Sequence, residues 1–99
     1  MLNITKTGDG AELTLGLEGR LDTVTSPVLE NELQNCLEGV TTLIFDMEKL
    51  DYISSAGLRV LLTAQKRMNK QGNMIVKNAS EAVKEIFDVT GFSDILTIA

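Results

Sequence analysis

Leu13, Leu15, Leu17 and Leu21 alternate with Thr14, Gly16, Glu18 and Arg20, and a period of two predicts a strand with one covered face. Upstream, Leu2 and Ile4 begin a shorter apolar series. The stretch from Thr5 to Gly10, with Gly8-Asp9-Gly10 at its centre, predicts a hairpin turn between the two. Beyond Asp22 the period becomes helical: Leu29, Leu33, Cys36, Leu37 and Val40 share one face. Ser26 suits the N-cap of that helix, Pro27 its first position, and Gly39 its end.

Leu43-Ile44-Phe45 is a short continuous apolar run, which predicts a central strand covered on both faces and ending in the segment 46–53. A second helix is expected from Ser54 or Ser55, with Leu58, Leu61, Leu62 and Met68 inward, ending at Gln71-Gly72-Asn73. Met74-Ile75-Val76 reads as a third short strand after the hairpin. Ser80 then caps a helix carrying Val83, Ile86 and Phe87, Gly91 stops it, and Ile95, Leu96 and Ile98 form a last short segment. The order is β-β-α-β-α-β-α with an extended tail. Strand–helix–strand crossovers of this length make parallel, right-handed units. The expectation is an α/β fold spanning residues 1–99 as one domain: a mixed sheet with an N-terminal antiparallel hairpin, parallel βαβ units and helices packed on the sheet.

Composition removes most enzyme classes. The 99 residues include no His and one Cys, so there is no Ser-His-Asp triad, no Cys-His pair, no imidazole ligand and no multi-thiolate metal site. Cys36 lies on the apolar stripe and reads as a core thiol rather than a reactive one. No Gly-rich phosphate loop of the Walker type is present. Beside the serine at the start of the second helix, these counts fit a chain that performs no chemistry itself and is acted on by other enzymes, and no cofactor or metal is expected. No apolar run approaches the ~20 residues that span a bilayer, and Met1 to Lys6 lacks a basic region leading into an apolar stretch. A cytoplasmic location without membrane insertion is the expectation.

Net charge is −5, and its excess is one-sided: residues 1–50 hold nine acids and three bases, residues 51–99 five acids and six bases. An acidic chain argues against nucleic acid, which needs clustered Lys and Arg. Lys66-Arg67 with Lys70 is the one basic cluster, and it reads as a solvated helix face.

In open α/β sheets functional groups collect where strands end and helices begin. Two polar loops have that place here, Asp22-Thr23-Val24-Thr25-Ser26 and Asp51 to Arg59. If the strands before them are parallel neighbours, both loops lie on one edge. Ser54-Ser55-Ala56-Gly57 has a plain structural use, as an N-cap with small residues that let the helix approach the strand. It also suits a serine that carries a phosphoryl group, with the amides of Ala56, Gly57 and Leu58 expected to be free at the positive helix end. A phosphoserine would add about −1.5 to −2 charges beside the acidic edge that holds Asp22. A dianion about 7–10 Å from a carboxylate costs roughly 3–5 kcal/mol at an effective dielectric near 20, before salt screening.

Leu50-Asp51-Tyr52-Ile53-Ser54-Ser55-Ala56-Gly57-Leu58, after the strand Leu43-Ile44-Phe45-Asp46, resembles the signature of STAS domains. Within them it is most similar to the small bacterial anti-sigma factor antagonists of the SpoIIAA/RsbV type. Gly19-Arg20-Leu21-Asp22, the helix start at Ala79-Ser80-Glu81-Ala82-Val83, and Phe87-Asp88-Val89-Thr90-Gly91-Phe92 fall where that family has similar segments, so the resemblance covers essentially the whole chain.

The resemblance implies a partner switch. The unphosphorylated antagonist binds an anti-sigma factor that is also a serine kinase, and a sigma factor is released. Phosphorylation turns binding off, and a PP2C-type phosphatase restores it. The phosphoacceptor position matches Ser55, with Ser54 as second choice, because Ser54 stands where many members have Asp. Asp22, Thr23, Thr25, Ser54, Ala56, Gly57 and Arg59 are the candidate partner-contact residues. Thr23 and Thr25 equally suit turn and cap roles. The chain is expected to be a monomer or weak dimer.

Two other roles compete. STAS domains also serve as subunits of transport systems, such as phospholipid-transport ABC complexes, where no phosphoswitch is needed. A receiver-like phosphoprotein would use Asp46 at the end of a central strand, but Asp22 lacks the acidic neighbour that a receiver needs.

Overall fold

The structure, a computed structural model, describes residues 1–99 apart from the side chain of Asp9. Four strands form one mixed sheet in chain order: β1 (Leu2–Asp9), β2 (Glu12–Leu21), β3 (Thr42–Ile53) and β4 (Asn73–Lys77). β1 runs antiparallel to β2, whereas β2–β3 and β3–β4 are parallel. Helices α1 (Ser26–Cys36) and α2 (Ser55–Gln71) make the two crossovers, and α3 (Glu81–Thr90) follows β4. A 3-10 turn at Phe92–Asp94 leads to Ile98, which bridges Val76 in parallel and extends the β4 edge. The expected order and mixed sheet are therefore present.

The fully buried side chains of the central strands, Leu15, Leu17, Leu21, Leu43, Phe45 and Met47, project to one face. There they meet Leu29 and Leu33 of α1, Leu58, Leu61 and Met68 of α2, and Val83 and Phe87 of α3. The other face is open. Ile44 is only half-buried and Asp46 sits beside it in register on that open side, so β3 is covered on one face, not two. The continuous run Leu43-Ile44-Phe45 conceals this, because three apolar neighbours carry no alternation.

β3 is also far longer than the apolar run that announced it. Gly16 pairs with Asp46 but Glu18 with Lys49, and Gly19 pairs with Leu50 but Arg20 with Tyr52. Each shift inserts one extra residue in β3, a β-bulge that restores the inward direction of the next apolar side chain. Met47, Leu50 and Ile53 are thereby all buried at a spacing of three. Asp46 consequently lies inside the strand rather than at its end, and the receiver-like placement fails.

Other boundaries moved for equally local reasons. The hairpin turn is confined to Gly10-Ala11, since the pairing runs without interruption from Leu2↔Gly19 to Asp9↔Glu12. Lys6, which looked like turn polarity, stays in the strand and pairs with Glu32 of α1. Helix α1 ends at Cys36, with Leu37 as C-cap. Leu37 and Val40 are buried beyond it, and the Gln71 side-chain amide donates to both their carbonyls, at 2.7 Å and 2.6 Å. Cys36 is half-buried, and burial pushes its thiol pKa up, which keeps it protonated. Gly91 closes α3 in the left-handed conformation (φ 82°) that glycine tolerates best.

Candidate functional site

Parallel pairing of β2 and β3 brings their C-terminal ends together. The Ser54 N–H donates to the Leu21 carbonyl at 2.8 Å, so the loop carrying Asp22 and the start of α2 share one edge, as expected for parallel neighbours. Gly57 makes this approach close. A Cβ there would stand 2.8 Å from Leu21 Cγ and 3.0 Å from Ile53 Cγ1. The first turn of α2 thus rests directly on the two strand ends.

Ser54 and Ser55 have different roles in that turn. Ser54 is the N-cap, with extended backbone, and its Oγ accepts from the Gly57 N–H at 3.3 Å. Its carbonyl accepts from the Leu58 N–H at 2.9 Å. The amides of Gly57 and Leu58 are therefore occupied rather than free, and the first-turn amides without a partner among the described residues are those of Ser55 and Ala56. Ser55 is the first helical residue, exposed, and its hydroxyl has no hydrogen-bond partner among the described residues. Ser80 resembles Ser54, accepting from the Val83 N–H at 3.2 Å.

The Asp22 loop is a closed turn. Asp22 Oδ1 accepts from the Val24 and Thr25 N–H groups, both at 3.0 Å. This carboxylate starts the turn that leads into α1. The N-cap of α1 is accordingly Thr25, not Ser26. Ser26 is buried, and its hydroxyl donates back to the Asp22 carbonyl at 2.5 Å. Asp22 Oδ2 faces Arg20, whose Nε is 3.8 Å away. The Thr25 N–H bond, the strongest of the stabilising contacts, holds the Asp22 carboxyl below the usual carboxylate range. The Val24 N–H adds to it, and the positive amino terminus contributes weakly. Asp46 on the open face is lowered in the same sense, first by the Asn78 side-chain amide and then by the Glu48 N–H.

A depressed carboxyl pKa stabilises the fold fully above the unfolded value of about 3.9, and that contribution disappears as pH falls through the lower folded value. Asp22→Asn retains an oxygen for the turn but does not titrate. The melting-temperature difference between wild type and Asp22→Asn is therefore expected to change only below about pH 4, which melts from pH 2 to 6 would read. A difference that varied only above pH 5 would contradict this assignment.

Not every candidate residue reaches the surface of the edge. Asp22 and Ala56 are half-buried, Thr23 and Arg59 exposed, but Thr25 is 8% exposed and Gly57 is buried. Three features escaped the sequence reading. Arg20 stacks on Tyr52, 4.4 Å from the ring centroid, and Val24 and Val28 present apolar side chains that are 82% and 55% exposed. The alternation at Leu21 does place Arg20 on the open face, but its pairing with Tyr52 depends on a bulge that periodicity does not reveal. A depression on the open face is lined in part by Thr5, Thr14, Asp46 and Glu48, none of which belongs to this edge. Among the described residues no His, Cys, Asp or Glu cluster is placed to hold a metal, and no helix is long and apolar enough to cross a membrane.

Sheet order, strand directions and a serine-bearing helix start beside a turn-locked carboxylate define a mixed α/β domain with one polar edge. The chain belongs to the STAS domain family, whose model matches residues 3–99. BtrV of Bordetella bronchiseptica, named as a candidate anti-sigma factor antagonist, is 35% identical over 85 residues, covering 84% of this chain and 73% of BtrV. The anti-sigma-B factor antagonist of Bacillus subtilis is 30% identical over 89 residues, covering 89% of this chain and 82% of that one. The fold is shared with the anti-sigma factor antagonist SpoIIAA. Its unphosphorylated form matches with TM-score 0.84 at 20% identity, covering 100% of this chain and 88% of SpoIIAA. The phosphorylated form of SpoIIAA, a Bacillus cell fate determinant, matches with TM-score 0.75, covering 100% and 91%.

Proposed function

We propose that this protein is an anti-sigma factor antagonist switched by phosphorylation of Ser55. In the unphosphorylated form the edge formed by Asp22, Thr23, Ser55, Ala56 and Arg59 binds an anti-sigma factor with serine kinase activity, and a sigma factor is released in the cytoplasm. The kinase transfers the γ-phosphoryl group of ATP to Ser55 Oγ. The new O–P bond replaces the bond to the bridging oxygen of ADP, and the hydroxyl proton leaves to a base of the kinase. The modified edge then releases the kinase, and a PP2C-type phosphatase hydrolyses the phosphoserine.

One observation carries this reading. Among the serines at helix starts, Ser54 and Ser80 use their oxygens as caps and Ser26 is buried, whereas Ser55 is exposed and unengaged. The relatives named as anti-sigma antagonists, and the existence of a phosphorylated SpoIIAA, support it. Phosphoserine at the first helical position also suits the positive helix end.

Incubation with the cognate kinase and ATP, followed by peptide mapping, is the direct test. A single phosphate on Ser55 is expected, retained in Ser54→Ala and absent from Ser55→Ala. Phosphate on Ser54 or Ser80 would reject the assignment.

A further inference from the structure

The Asp22 turn contains more order than a partner contact requires, and the order converges on one hydroxyl. Thr25 Oγ1 accepts from the Asp22 N–H at 2.8 Å and donates to the Arg20 carbonyl at 2.8 Å, with Asp22 Oδ1 a further 3.1 Å neighbour. A hydroxyl has one proton, and the shorter contact to the Arg20 carbonyl uses it. Thr25 therefore ties together the end of β2, the Asp22 backbone and, through its own N–H, Asp22 Oδ1. With Oδ1 also held by the Val24 N–H, the carboxylate has one orientation. Oδ2 is then the oxygen left to a partner, its nearest cation being Arg20 at 3.8 Å, beyond hydrogen-bond length.

We propose that Thr25 is a positioning residue of the partner surface: it touches no partner, and acts by fixing the Asp22 carboxylate so that Oδ2 points outward for a cationic group of the anti-sigma kinase. The burial of Thr25 excludes direct contact. A preset carboxylate forms its charge-assisted bond without first losing rotamer freedom, which lowers the entropic cost of association. Arg20, itself held over Tyr52, flanks Oδ2 and limits its orientation on the other side. This inference rests on the antagonist reading, which supplies the partner, but the orientation of Asp22 can be measured without any partner.

Thr25→Val removes the hydroxyl at nearly constant shape, Thr25→Ser keeps it, and Thr25→Ala substitutes if valine prevents folding. In the free protein the Asp22 carboxyl is followed by carbon-detected NMR titration, with Arg20 and the amino terminus as the charges facing it. Valine keeps the Thr25 N–H bond to Oδ1 but unties the turn from the Arg20 carbonyl and the Asp22 N–H, so the turn loosens and the titration is expected to move up in part, whereas serine leaves it low. Against the purified kinase that phosphorylates Ser55, Thr25→Val is expected to weaken binding about tenfold. It should do so only while Asp22 is present, with no added loss in the Asp22→Ala background. An unmoved Asp22 titration, or an equal loss with and without the Asp22 carboxylate, overturns the positioning role. If the wild-type protein binds no kinase at all, the antagonist reading falls, and the titration alone decides whether Thr25 orients Asp22.

Discussion

Ser55→Asp is expected to bind the anti-sigma kinase about tenfold more weakly than Ser55→Ala at physiological salt, and the gap should widen as salt is lowered. The reason lies in what a kinase must do to modify this residue. To reach Ser55 Oγ, it has to bring the γ-phosphoryl group of ATP into line with an exposed hydroxyl at the first position of α2. A fixed anion at that place then faces the nucleotide phosphates. One unit charge about 5–6 Å from another costs about 3 kcal/mol at an effective dielectric of 20, and roughly half surviving salt screening corresponds to about tenfold in affinity. Phosphoserine carries nearly twice the charge of aspartate, so the modified protein should bind more weakly still. Ser55→Ala should hold the kinase whether or not ATP is supplied. Ser54→Ala is the informative control: losing the cap costs about 1 kcal/mol of stability, yet ATP should still release the kinase. Titration calorimetry at two salt concentrations reads all of these, and equal affinity of the Asp and Ala variants would reject an electrostatic switch.

The legible parts of this molecule are those in which local pattern and final environment agree. The alternation from Leu13 to Leu21 survives intact because β2 pairs on both sides and is covered on one face. The serine at the start of α2 is legible because a cap is a local device, satisfied within four residues. The second half of β3 is not, since two bulges replace a period of two by the spacing Met47, Leu50, Ile53, which resembles neither helix nor strand. The Arg20–Tyr52 stack was hidden for the same reason: it exists only in the shifted register. At α1 the sequence offers two equivalent helix starts, and the choice of Thr25 over Ser26 follows from the Asp22 carboxylate closing its own turn first. Thr23 and Thr25 look alike in the sequence, whereas burial separates an exposed threonine from one locked inside the turn.

Gly57→Val is expected to lower the melting temperature by about 10–20 °C and to reduce Ser55 phosphorylation of the protein that remains folded. Even the first added carbon would lie 2.8 Å from Leu21 Cγ and 3.0 Å from both Leu21 Cδ2 and Ile53 Cγ1. Neither neighbour has room to yield: Leu21 is fully buried and Ile53 is 2% exposed, at the ends of adjacent strands. Relief therefore requires α2 to lift from the sheet at its first turn. Overpacking of this kind costs about 1–3 kcal/mol, and valine adds two methyl carbons to an overlap that alanine already creates. Alanine regains about 1 kcal/mol of helix propensity, so Gly57→Ala should be the milder change. The functional loss comes from the same displacement. Ser54 caps through the Gly57 amide and is tied to Leu21 by its own N–H, so lifting the turn loosens both bonds and moves Ser55 relative to Asp22. A Gly57→Val protein that melted within about 2 °C of wild type would mean that the strand ends accommodate the side chain. The close approach of helix and sheet would then not be what presents Ser55.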